Sequence, residues 1–152
     1  MRQEASLPVG MALGRHTLTQ KLWEDAGVVD VRLDASGMAD GQRTGLTFIS
    51  GSAFGWVGVG MNAGRRRILW DQGEGPALTG DEVWLRGRYS GALARLEYSL
   101  DGRAWTDTGA TFTLAFAHWK GARFGIFCHG RRGRVDVDSV SYRYGAPEDL
   151  AR

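Results

Sequence analysis

Apolar and polar residues alternate with a period of two along most of this chain, and no long window carries a helical period. Residues 16–23 set Thr17, Thr19 and Lys21 against Leu18, Gln20 and Leu22. Residues 29–34 place Val29, Val31 and Leu33 on one face. Alternate residues of a strand point to opposite sides, so these runs predict strands with one buried face. Residues 45–50 and 54–61 are the next strands, joined by a Gly-Ser turn, and Asn62-Ala63-Gly64 turns the chain into Arg67–Trp70. Residues 82–89 and 93–100 read as a hairpin about Ser90-Gly91. Its second strand points Leu96, Tyr98 and Leu100 inward and Arg95, Glu97 and Ser99 outward. Residues 35–43 and 71–80 read as loops from their Gly, Asp, Ser and Pro content. Asp101-Gly102 is a tight-turn dipeptide leading into a second hairpin. Residues 111–128 are the most aromatic stretch, with two apolar strand-like runs around His118-Trp119-Lys120-Gly121. Residues 135–144 close the pattern. There Val135 and Val137 share one parity, while Val140, Tyr142 and Tyr144 share the other. This phase slip at Asp138-Ser139 predicts a bulge. Many short strands separated by glycine turns, with no helix, predict an all-β antiparallel sandwich.

A chain of 152 residues is the size of one domain. The pattern predicts a lead-in over 1–14, the sandwich over 15–145 and a frayed tail over 146–152. The net charge is only +2. Arg65–Arg67 and Arg131, Arg132 and Arg134 form small clusters suited to solvated hairpin loops. A nucleic-acid partner calls for a larger continuous basic face and is not expected. No run has the apolar length of a signal peptide or a membrane span, so no membrane partner is expected. Cys128 is the only cysteine. It lies in an apolar run, reads as small core packing, and allows no internal disulfide. His129, its neighbour, points to the other face. One cysteine and no leader predict a cytoplasmic protein.

Chemistry-bearing motifs are sparse. Asp136 and Asp138 could hold a structural Ca²⁺ through carboxylate oxygens. Two outward strand carboxylates meeting arginines is the favoured reading, and no other cofactor is expected. His16, His118 and His129 lie far apart in sequence and lack zinc-ligand spacing. No pair of acids is grouped as glycoside hydrolysis requires, so no catalytic residue is assigned. Ser99-x-Asp101-Gly102-x-x-Trp105 is similar to the Asp-box hairpin of many sugar-processing proteins. Its physics is local: the carboxylate accepts turn amides, glycine takes the strained position, and Trp105 folds back on the hairpin.

Three further patterns complete the picture. They are Thr17-Leu18-Thr19-Gln20, then Val31-Arg32-Leu33-Asp34-x-Ser36-Gly37-Met38-x-Asp40-Gly41, then Trp119-Lys120-Gly121-Ala122-Arg123-x-Gly125-x-Phe127-Cys128. With the Tyr98–Trp105 hairpin, they resemble the C-terminal concanavalin A-like domain of glycoside hydrolase family 43, the β-xylosidases and α-L-arabinofuranosidases. The resemblance runs from about His16 to Tyr144. It implies a jelly-roll sandwich that packs on a five-bladed catalytic β-propeller and is itself an accessory to hydrolysis. It further implies that a loop at His118, Trp119, Lys120 and Gly121 reaches the propeller, either as a sugar-contacting lid or as a docking loop. The propeller and its catalytic acids lie outside this sequence. So does an extra strand pair that usually opens the family's sandwich. The chain is therefore expected to be a truncated or split gene product lacking its first strands. The alternative is a free-standing module that binds xylo- or arabino-oligosaccharides through exposed tryptophans.

Overall fold

The computed structural model describes residues 16–51, 53–115 and 121–150. They form two antiparallel sheets. The first contains β1 (Thr17–Lys21), β3 (Arg43–Ser50), β4 (Ala53–Asn62), β5 (Arg65–Trp70), β6 (Gly73–Ala77) and β10 (Arg123–His129), in the order β1-β10-β3-β4-β5-β6. The second contains β2 (Ala26–Asp34), β7 (Glu82–Ser90), β8 (Leu93–Ser99), β9 (Thr106–Thr113) and β11 (Asp136–Gly145), in the order β11-β2-β7-β8-β9. The chain changes sheet at β1–β2, β2–β3, β6–β7, β9–β10 and β10–β11.

The inward parities build one core. Val29, Val31 and Leu33 of β2, Leu46 and Phe48 of β3, Val57 and Val59 of β4, and Val83 and Leu85 of β7 are all buried. Aromatic pairs join the sheets. Phe48 meets Tyr89 edge-on with centroids 6.1 Å apart, Trp70 stacks on Tyr98 at 6.4 Å, and Phe124 meets Tyr142 at 5.0 Å. Such geometries add about 0.5–1.5 kcal/mol to the burial itself. At one end of the sandwich the Tyr89 and Tyr142 hydroxyls lie 2.6 Å apart. Tyr89 donates to the Trp23 carbonyl at 2.5 Å, and the Trp23 amide donates to Tyr142 at 2.7 Å. The β1–β2 connection is thus tied to the opposite sheet.

Three expectations change. Residues 73–77 are a strand rather than loop, pairing with β5 as an edge where Pro76 is tolerated. Leu100 is not inward. β8 ends at Ser99, and Leu100 is 43% exposed. Ser99 does lie on the outward row, opposite Trp84, but the turn that follows buries it. Residues 147–150, within the expected tail, have regular structure. They form a 3-10 turn in which Pro147 and Leu150 line an apolar pocket with Val28 and Leu93. The phase slip in β11 is a bulge, with pairing to β2 shifting between Val137 and Ser139.

Candidate functional site

The two apolar runs of the aromatic stretch belong to different sheets. β9 ends at Thr113 in one and β10 begins at Arg123 in the other. The connection between them crosses the end of the sandwich. It is fixed on both sides of its centre. The Leu114 amide donates to the Ala92 carbonyl at 2.7 Å, and the Ser50 hydroxyl donates to the Ala115 carbonyl. On the far side the Leu22 amide donates to the Ala122 carbonyl at 3.1 Å, and Gly121 takes a φ of +66°. His118, Trp119 and Lys120 lie outside the described residues.

The Ser99–Trp105 turn has the internal bonding its sequence predicts. Asp101 accepts the Arg103 and Ala104 amides at 2.8 and 2.9 Å and the Ser99 hydroxyl at 3.0 Å. These bonds, the Arg103 amide first, hold its carboxyl below the usual range. Gly102, at φ +72°, packs so closely on Trp84 that a Cβ would stand 2.8 Å from the ring. Trp105 folds over Arg86, whose guanidinium carbon is 3.8 Å from the ring centroid. The turn is self-contained and sits on the outer face of the five-stranded sheet. That face is a charge-matched ladder: Arg86 on Asp30 at 2.5 Å, Arg88 on Glu97 at 3.2 Å, and Arg32 on Glu82.

Asp136 and Asp138 extend this ladder, facing Arg134 at 3.6 Å and Arg32 at 3.5 Å. Among the described residues no three His, Cys, Asp or Glu side chains gather as metal ligands. Asp138 thus stands in the ion-paired arrangement favoured from the sequence, and no role is derived for a calcium ion. Pairing of β1 with β10 brings His16 near His129, two of the histidines expected to lie apart. Burial, with His16 as the second cause, lowers the pKa of His129. Cys128 is half-buried rather than fully packed, and its Sγ accepts the Gln42 amide at 3.0 Å.

The outer face of the six-stranded sheet differs in kind. Cross-strand register lines up Phe127, Gly45, Gly58 and Leu69 in one row and Gly125, Thr47 and Trp56 in the next. Trp56 and Phe127 meet edge-on at 5.6 Å, with Phe54 and Leu69 packed against them.

Beside this cluster lies a cleft of about 640 Å³. Strand lengths create it. The β5 ladder on β4 ends at Trp70 opposite Val57, and beyond it the Asp71 amide donates to the Trp56 carbonyl at 3.3 Å, so only residues 53–55 have no partner on that side. Across the gap stands β9, the edge strand of the other sheet. Gly55, Leu96, Phe112 and Phe54 line its apolar part, Asp71 and Gln72 its polar part, and Trp56 lies buried behind it against Phe127. Burial here raises the Asp71 carboxyl above its ordinary value, and an interaction with the Trp56 side chain partly offsets the rise. Aromatic surface with a few convergent polar groups is the usual make-up of a small-molecule site. In the sequence Asp71 stands out from none of the other loop acids. The usable signal was the unequal hairpin: counting back from Asn62–Gly64 pairs Trp70 with Val57 and leaves the first residues of β4 beyond the reach of β5.

The architecture is that of a concanavalin A-like β-sandwich. A sequence model of the β-xylosidase C-terminal concanavalin A-like domain of glycoside hydrolase family 43 matches residues 11–143, and the chain belongs to that family. A β-xylosidase from Formosa agariphila is 32% identical over 143 residues, covering 88% of this chain but 24% of that protein. Among solved structures, a GH43 glycoside hydrolase engineered for both endo-xylanase and exo-arabinofuranosidase activity superposes with a TM-score of 0.75 at 23% identity. The match covers 84% of this chain and 31% of that one. A bifunctional GH43-CE protein from Bacteroides eggerthii gives 0.74 at 24% identity, covering 84% and 18%. These relatives are multidomain enzymes of which this sandwich matches a small part.

Proposed function

We propose that the chain is an accessory sandwich that packs on a family 43 catalytic propeller and supports hydrolysis of plant cell-wall polysaccharide fragments. The substrates in this reading are xylosides or arabinosides. The observation that carries it is the match of nearly the whole chain to a C-terminal domain family, while spanning 24% of a β-xylosidase. The unequal outer faces support it: one sheet carries paired charges, while the outer side of the other holds a buried aromatic pair, Trp56 and Phe127. In this reading the segment His118–Gly121 is the docking or lid element, held at its base by the Ser50, Leu22 and Leu114 bonds. Trp119 supplies a flat apolar face and Lys120 a charged donor.

The test is reconstitution. A β-xylosidase propeller expressed without its own sandwich is mixed with this chain, and 4-nitrophenyl β-xyloside hydrolysis and complex formation are measured. The chain alone is expected to give no turnover, the mixture a complex with raised turnover, and Trp119→Ala a weaker complex. Absence of any complex, or turnover by the purified chain alone, would overturn the proposal. A free-standing carbohydrate-binding module is the second reading, favoured by the aromatic cleft beside β4.

A further inference from the structure

We infer that the cleft between the unpaired start of β4 and the edge strand β9 is a binding site for a neutral oligosaccharide chain. Asp71 and Gln72 serve as its hydroxyl-binding rim and Phe54 as its apolar platform. The inference rests on the carbohydrate-binding reading and is independent of docking to a propeller.

Three features of the cleft select this ligand. Its volume, about 640 Å³, lies within the range of sites for small molecules. Its surface is divided as a sugar's is: an apolar part suits the C–H face of a pyranose ring, and a rim of carboxylate and amide suits the ring-edge hydroxyls. A carboxylate accepts from two adjacent hydroxyls at once, and the Gln72 amide both donates and accepts. The third feature is charge. Among the described residues Asp71 is the only charged one lining the cleft, and no described arginine or lysine lies within ion-pairing distance of it. This contrasts with the ladder on the other sheet, where each of Asp30, Glu82, Glu97 and Asp107 faces an arginine. A carboxylate bonded to the Trp56 side chain but to no described cation keeps acceptor sites for hydroxyl hydrogens and repels an anionic chain. The site therefore takes neutral xylan- or glucan-type oligomers and rejects uronate oligomers.

The experiment uses the full chain. Amide resonances are followed in a ¹H–¹⁵N titration, with calorimetry in parallel, using xylohexaose, cellohexaose and a galacturonate oligomer as probes. Saturable shifts with a neutral hexaose, confined to residues 53–56, 71–72 and 109–113, are expected, with no response to the uronate. Asp71→Ala is expected to weaken binding at least tenfold, the loss of a hydrogen bond to a charged group. Phe54→Ala reports independently on the apolar part, and the thermal transition of each variant checks that it folds. Sugar binding that maps elsewhere and survives Asp71→Ala would sink this site but leave the carbohydrate-binding reading standing. No binding of either neutral hexaose by the folded chain would overturn both.

Discussion

Two aspartates show at residue scale how a local setting decides the sign of a pH effect. Asp101 takes two backbone amides and a hydroxyl, so its folded pKa lies below its ordinary value. Its stabilisation is present above the usual carboxylate range and is lost as pH falls through the depressed value. Asp101→Asn should lower the melting temperature at pH 7, by an amount that shrinks as pH falls below 3. A deficit that does not change with pH would contradict this. Asp71 is the opposite case. Packing against the cleft wall raises its pKa, so the unfolded chain ionises first as pH rises. Stability therefore falls as pH climbs through that window. Asp71→Asn should raise the melting temperature at pH 7 and leave it unchanged at pH 3. Asp71 stands at the solvent rim, so the gain is small.

At the scale of the element, the β4–β5 hairpin carries strain that a substitution can remove. Its two-residue turn places Ala63 at φ 48° and Gly64 at φ 72°. This is the conformation that prefers Asn-Gly, because alanine's Cβ is crowded there. The Gly64 amide also donates to Asp40 at 2.8 Å, which fixes the turn. Ala63→Asn should stabilise the chain by about 0.5–1 kcal/mol in urea denaturation. The Gly45–Gly58 cross-strand pair works the other way. A Cβ on Gly58 would stand 1.8 Å from the Thr44 carbonyl oxygen. Gly58→Ala should cost about 3 kcal/mol or more, or prevent folding. Elements of this kind also mark how far the sequence could be read. Strands β7, β8 and the second half of β2 were legible because each has one buried parity, and β3 because its run is apolar and buried on both faces. β6 was not: Gly-Glu-Gly-Pro-Ala has no apolar period and is held by backbone pairing at an edge. The Ser99–Trp105 turn was legible because its bonds are local. The cleft was not read from sequence, because it arises from the unequal reach of β4 and β5 and the position of β9 on the other sheet.

At the scale of the whole molecule, the described residues leave one flank open. β11 is the edge of the five-stranded sheet, and β10–β11 contact through Phe124 and Tyr142 places β1 and β11 on the same side. β1 has five residues and β11 ten, so the shorter strand cannot cover the longer. The consequence is visible in the inward parity of β11: Val137 and Val140, opposite buried Leu33 and Val31, are 44% and 46% exposed. Leu18 of β1 is 76% exposed. A long edge strand with free backbone groups and apolar side chains favours edge-to-edge pairing between copies, which a charge on the strand suppresses. The purified chain should therefore associate as its concentration rises, and Val140→Lys should keep it monomeric by light scattering after size exclusion. Because Val140 is already half exposed, the substitution should change stability by no more than about 0.5 kcal/mol. That separates loss of association from loss of fold. Wild-type protein that stays monomeric at millimolar concentration would show that the bulge after Val137 already twists this edge away from pairing.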